Sequence, residues 1–224
     1  MPRDTFEKLL TDLKNQLLEL GTMTSQTIAK GVDALKTRDR VMAQSLIARD
    51  QEINRLRYAI EEQAYELMAT QQPLASDLRE IIAILLIAIE LERIADHAKN
   101  LGEIVIHMGD EPLLKPLIDI PRMAEICESM LAQALDAFVR RDAAAGRAVC
   151  ERDDVIDQLY QQVLRELLLF MLEDTRTVTR AMNLLFAAHN LERIGDRITN
   201  IGERVIYAVT GKLEELNTEK ELPE

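Results

Sequence analysis

The chain carries an internal repeat. Residues 34–56 align with 137–159 at a constant offset of 103, pairing Asp39 with Asp142, Arg49-Asp50 with Arg152-Asp153 and Ile53 with Ile156. Further along, Leu91-Glu92-Arg93-Ile94-Ala95-Asp96 aligns with Leu191-Glu192-Arg193-Ile194-Gly195-Asp196 at an offset of 100, and Asn100, Gly102 and Glu103 match Asn200, Gly202 and Glu203. A repeat of this length makes each half one copy of a single structural unit, and residues that recur in both copies are read as acting together.

The unit is helical. Phe6, Leu9, Leu10, Leu13, Leu17, Leu20, Ile28, Val32 and Leu35 recur at three- and four-residue intervals, one stripe of a helix over about 5–36. A second stripe through Met42, Leu46, Ile53, Leu56, Ile60, Ala64 and Leu67 predicts a helix over about 39–69, ended by Gln72-Pro73. Ser76 or Asp77 offers the N-cap of a third, about 77–107, stopped by Gly109 with Pro112 and Pro116 beyond. In the second half, helices start at Asp119, at Asp142, and at Thr177 or Thr179, the last reaching Thr210 before Gly211. A composition of 47% apolar but only 4% aromatic residues, with no Trp, agrees with helices over sheets. The predicted fold is all-α: two pseudo-symmetric antiparallel three-helix bundles of six long helices. The first repeat spans 1–109, a linker 110–118, the second repeat 119–213, and a polar tail 214–224.

Charge and cysteines exclude several functions. A net charge of −12 repels nucleic-acid backbones, and no Lys/Arg cluster overrides it locally. Cys127 and Cys150 form no CxxC pair, which removes thioredoxin-like chemistry and predicts buried free thiols. The charged start of the chain lacks the apolar stretch of a secretory signal, and the longest apolar run, 81–89, is far below the roughly 20 residues of a membrane span. A cytoplasmic protein is expected.

The chemistry lies in acidic rows. At about 100° per residue, Glu92, Asp96, Asn100 and Glu103 fall within an arc of roughly 80° on the third helix, and Glu192, Asp196, Asn200 and Glu203 repeat that stripe on the sixth. Asp50 and Asn54 on the second helix, and Asp153 and Asp157 on the fifth, are positioned to face these stripes. Like charges at four-residue spacing repel, and a hard cation such as Mg²⁺, Mn²⁺, Ca²⁺ or iron would offset the repulsion through oxygen ligands. His189 sits near the second stripe and reads either as a further ligand or as a satisfied helix histidine. Without a metal, the acids would pair with Arg93, Arg193, Arg197 and Arg204, leaving a structural adaptor or chaperone-like bundle. A carboxylate-bridged oxidase lacks its Glu-x-x-His motif, and no nucleophile–base pair or Gly-rich phosphate loop occurs. No enzyme is expected.

These residues resemble the PhoU family, whose halves each carry an (E/D)xxxD signature, here Glu92 to Asp96 and Glu192 to Asp196. Gln71-Gln72-Pro73-Leu74-Ala75-Ser76-Asp77-Leu78-Arg79 is similar to that family's turn before the third helix. The resemblance implies a regulator of phosphate uptake and of phosphate-starvation signalling. It would act by contact with the phosphate transporter ATPase and a sensor histidine kinase, reach the membrane only through them, and form a homodimer. It also implies metal clusters on Asp50, Glu92, Asp96 and Asn100 in the first half and on Asp153, Asp157, Glu192, Asp196 and Asn200 in the second. Divalent and trivalent ions, with iron, manganese, magnesium and zinc, all remain open. Because Asn54 stands where the second half has Asp157, the first site is expected to bind more weakly.

Overall fold

The computed structural model describes residues 2–216, so 217–224 of the expected tail lie outside the described residues. Helix α1 spans Pro2–Thr37, α2 Arg40–Gln71, α3 Ala75–Met108, α4 Asp119–Arg140, α5 Ala143–Glu151, α6 Asp153–Glu173 and α7 Val178–Thr210, with a 3₁₀ turn at Thr175–Thr177 before α7. The described residues contain no strand, and no helix among them is long and apolar enough to cross a membrane. The all-α expectation holds.

Repeat-paired residues start and stop the helices in the same way. Asp39 accepts hydrogen bonds from the N–H groups of Val41 and Met42 to cap α2, and Asp142 accepts from Ala145 to cap α5. Just before each cap, Arg38 and Arg141 adopt left-handed backbone angles, φ 57° and 55°, that turn the chain back on itself. Two boundaries differ from the sequence reading. Helix α3 begins at Ala75 with Leu74 as its N-cap, and Asp77 sits one turn inside, accepting from the Leu74 N–H at 3.3 Å. The expected fifth helix is two helices: at Arg152, three-residue hydrogen bonds (Arg152 to Val149, Val155 to Arg152) replace four-residue ones and interrupt the ladder.

Helices α3 and α7 form the centre. Helix α3 contacts α1, α2 and α7; α7 contacts α3, α4, α5 and α6; and α1 touches α4 across the halves. The apolar interior is accordingly one continuous cluster running through both repeats, from Phe6 to Ala208. Pseudo-symmetry persists in its polar details: the buried Thr24 hydroxyl donates to the Leu91 carbonyl, and at the paired position the Cys127 thiol donates to the Leu191 carbonyl. Burial pushes the Cys127 thiol up, and it pushes Cys150 up to about 12. Cys127 is buried as expected, whereas Cys150 is only half-buried.

One buried acid ties the repeats together. Glu80 on α3 lies 2.6 Å from Lys14 of α1 and 3.0 Å from Arg141 at the α4–α5 corner of the other half. Its side chain is 6% exposed, so both cations are needed to offset its desolvation. Glu80→Ala is expected to lower the unfolding free energy by about 1.5–3 kcal/mol, the range for hydrogen bonds to charged groups, as measured by urea denaturation followed by circular dichroism.

Candidate functional site

Each acidic row lies at the edge of a central helix, where a neighbouring helix brings a second carboxylate alongside. In the first half Asp50 comes from α2, and Glu92 and Asp96 come from α3. Burial raises the Asp50 pKa and Asp96 raises it further, with Lys99 pulling it back. Glu92 is likewise raised by burial and by Asp96 and Asp50, against the pull of Arg57. The three carboxylates therefore share one electrostatic environment, as the spacing anticipates.

The chain answers this crowding with its own cations. The Lys99 ammonium lies 2.8 Å from Asp96 on its own helix and 3.5 Å from Asp50 on α2, so it spans the gap between the two helices. Burial opposes its charge, but Asp96 and Asp50 together hold its pKa above the ordinary lysine range. Asn54 donates its amide to Asp50 at 3.4 Å, easing that carboxylate as a neutral donor. The Asn100 side chain turns the other way, donating across the seam to Asn190 of α7 at 3.0 Å, where His97 meets the same oxygen at 3.0 Å. Arg197 and Arg93 reach Glu90 at 3.5 and 3.7 Å.

The second half is built differently. Asp153 and Asp157 come from α6, and Glu192, Asp196 and Asn200 follow one another along α7. Asp153 is buried, and Gly195 opposite it provides its space: a Cβ at Gly195 would sit 2.4 Å from an Asp153 carboxylate oxygen. The first half has Ala95 at the paired position. Arg193 binds Glu192 at 2.6 Å and Asp196 at 3.0 Å, and Asp157 adds to the field that raises its pKa. His189 stands 3.6 Å from Glu192 and beside the Tyr160 ring, and burial and Glu192 raise the Tyr160 pKa. Where the first half has Lys99, the second has Thr199, whose hydroxyl turns back onto the Asp196 carbonyl. Glu203, the last member of the stripe, accepts the Leu216 N–H of the returning tail at 2.7 Å.

The two rows fit a metal ion unequally. Among the described residues no three His, Cys, Asp or Glu side chains stand gathered for a metal, and Lys99 and Arg193 hold carboxylates of the two rows in ion pairs. In the second row the donors are hard oxygens, the Gly195 cradle keeps Asp153 against α7, and the neutralising Arg193 is 43% exposed to solvent. This donor set suits a hard cation. The first row does not: a side chain less than half as exposed as that of Arg193 already lies between its two helices. Sequence reasoning missed Lys99, although an i,i+3 spacing from Asp96 and its absence from the second copy both marked it.

The PhoU domain family model matches residues 17–105 and 120–205, one match in each repeat. A phosphate-specific transport system accessory protein PhoU homolog of Clostridium acetobutylicum is 38% identical over 218 residues, covering 97% of this chain and all of the relative. One from Pseudomonas aeruginosa is 36% identical over 209 residues, covering 92% of this chain and 86% of the relative. The crystal structure of PhoU from Pseudomonas aeruginosa superposes with a TM-score of 0.88 over 92% of this chain and all of that one. The phosphate transport system regulatory protein PhoU from Streptococcus pneumoniae gives 0.87 at 31% identity over 94% of this chain and 99% of that one.

Proposed function

The chain belongs to the PhoU family, and on that premise we propose that it is a cytoplasmic regulator that couples phosphate uptake to the phosphate-starvation response. The observation that carries this reading is the match of both repeats to the family over nearly the whole chain, together with relatives whose names make them accessory proteins of phosphate-specific transport. The chain acts by contact: it has no nucleophile–base pair and no phosphate loop in its sequence, and its acidic rows run along helix edges. Its partners are the transporter ATPase and a sensor histidine kinase, and it works as a homodimer. Regulation then requires that it bind two states of a partner with different affinity.

A metal ion belongs to the second row. Asp153, Asp157, Glu192 and Asp196, with Asn200 one turn along, would hold it. When bound it supplies the positive charge that stacked carboxylates on α6 and α7 call for, bracing those helices against one another. Arg193 meanwhile keeps the row neutralised from outside, and Gly195 leaves the Asp153 carboxylate room to sit between the helices.

Removal of the gene is expected to raise a phosphate-starvation reporter in phosphate-replete cells to its starvation level, and the wild-type gene should restore repression. An unchanged reporter would defeat the regulatory reading. The same complementation with Glu192→Gln/Asp196→Asn separates a signalling role for the row from a purely structural adaptor, which would repress normally with this variant.

A further inference from the structure

The two rows are copies of one design whose differences all point in one direction. In the second half a glycine opens space beside the facing aspartate, a second aspartate stands one turn further along α6, and a threonine turned onto its own helix replaces the lysine. In the first half those positions are Ala95, Asn54 and Lys99. In the first row Asp50 and Asp96 hold an internal ammonium while Arg57 and Arg93 act on Glu92, against four carboxylates and a more exposed guanidinium in the second.

We propose that Lys99 is the resident counter-ion of the first row, standing where a bridging metal would stand, so that this chain confines metal to its second half and braces its first half with its own ammonium. The inference rests on the metal reading of the second row. Its physical basis is position. The Lys99 nitrogen lies within ion-pairing distance of carboxylates on both α2 and α3, which is what a bridging cation must do. Arg193, which pairs with Glu192 and Asp196 and feels Asp157 of α6, is 43% exposed and yields more readily to an entering ion, whereas Lys99 is 20% exposed and enclosed by both partners. A metal entering the first row would have to displace a protonated amine that has no lone pair to offer and two carboxylates to lose. Asn54 compounds this, since its amide faces Asp50 as a donor and contributes no charge. The protein is thereby functionally one-sided: removal of metal should loosen the α6–α7 edge and leave the α2–α3 edge unchanged.

The test is Mn²⁺ loading of the chelator-stripped full chain, read as metal content per chain and as the shift in thermal unfolding on adding Mn²⁺. Wild type should take up Mn²⁺, and Glu192→Gln/Asp196→Asn should abolish uptake. Lys99→Thr, which installs the second-half residue, should roughly double the content and should retain uptake when combined with Glu192→Gln/Asp196→Asn. Lys99→Arg should behave as wild type. Lys99→Thr is also expected to unfold at lower temperature without metal and to recover on Mn²⁺ addition, which shows that a cation replaces the lost ammonium. Wild-type uptake that falls with Asp50→Asn would show the first row loading with Lys99 present and overturn the proposal while sparing the metal reading of the second row. No gain in a folded Lys99→Thr protein overturns it as well. Absence of uptake in every variant would overturn both readings.

Discussion

Ile94→Ala and Ile194→Ala should each lower the unfolding free energy by about 2–5 kcal/mol, the range for truncating a buried aliphatic side chain, and each should do so within a single transition. Both side chains are fully buried at the middle of the central helices. The same apolar cluster contains them both and extends through every helix of the two repeats. A cavity opened at either position therefore weakens a core that both repeats need, and neither repeat has a separate interior in which to survive. For a chain of this size the loss corresponds to a melting shift on the order of 10 °C at roughly 2–4 °C per kcal/mol. With no Trp in the sequence, far-ultraviolet circular dichroism and scanning calorimetry are the measurements of choice. Two resolved transitions, only one of which moves with each variant, would show instead that the repeats fold as independent bundles.

The repeat and the apolar stripes made the helices legible because both depend on local periodicity, which a one-dimensional sequence contains in full. Asp39 and Asp142 read correctly as starts for the same reason: an N-cap bonds backbone groups two or three residues away. The break at Arg152 was not legible. Residues 143–151 and 153–173 continue one helical pattern, and the interruption arises where α5 and α6 meet α7, a contact distant in sequence. The acidic rows were legible as rows, but their state was not. Spacing placed Asp50 near Asp96 without saying which cation would lie between them, and among the basic residues nearby only coordinates separate Lys99, which spans two helices, from Arg197, which crosses the seam to Glu90. The Gly195 for Ala95 exchange was visible in the aligned motif, yet its meaning required knowing that an aspartate from another helix fills the space.

The glycine that recurs seven residues later extends this logic to the packing of the second half. Gly202→Ala should destabilise by about 1–3 kcal/mol, the cost of forcing extra volume into a packed contact, while Gly102→Ala should cost much less. A Cβ at Gly202 would stand 2.6 Å from the Cys150 sulfur and 2.8 Å from the Gly146 carbonyl oxygen, and the second of these is backbone. At Gly102 the nearest atom is the Ala43 carbonyl oxygen at 3.2 Å, a separation that a shift of a few tenths of an ångström relieves. Helix α5 thus lies closer to α7 than α2 does to α3, and this approach delivers Asp153 to the Gly195 cradle. Cys150→Ala in the Gly202→Ala background removes the sulfur clash but leaves the carbonyl clash, so partial rescue in urea unfolding is expected. Full rescue would place the whole constraint in the side chain and take away the close backbone approach as the reason for the glycine pair. A Gly202→Ala protein as stable as wild type would mean that α5 can retreat without cost. The position of Asp153 against α7 would then need some support other than this crossing.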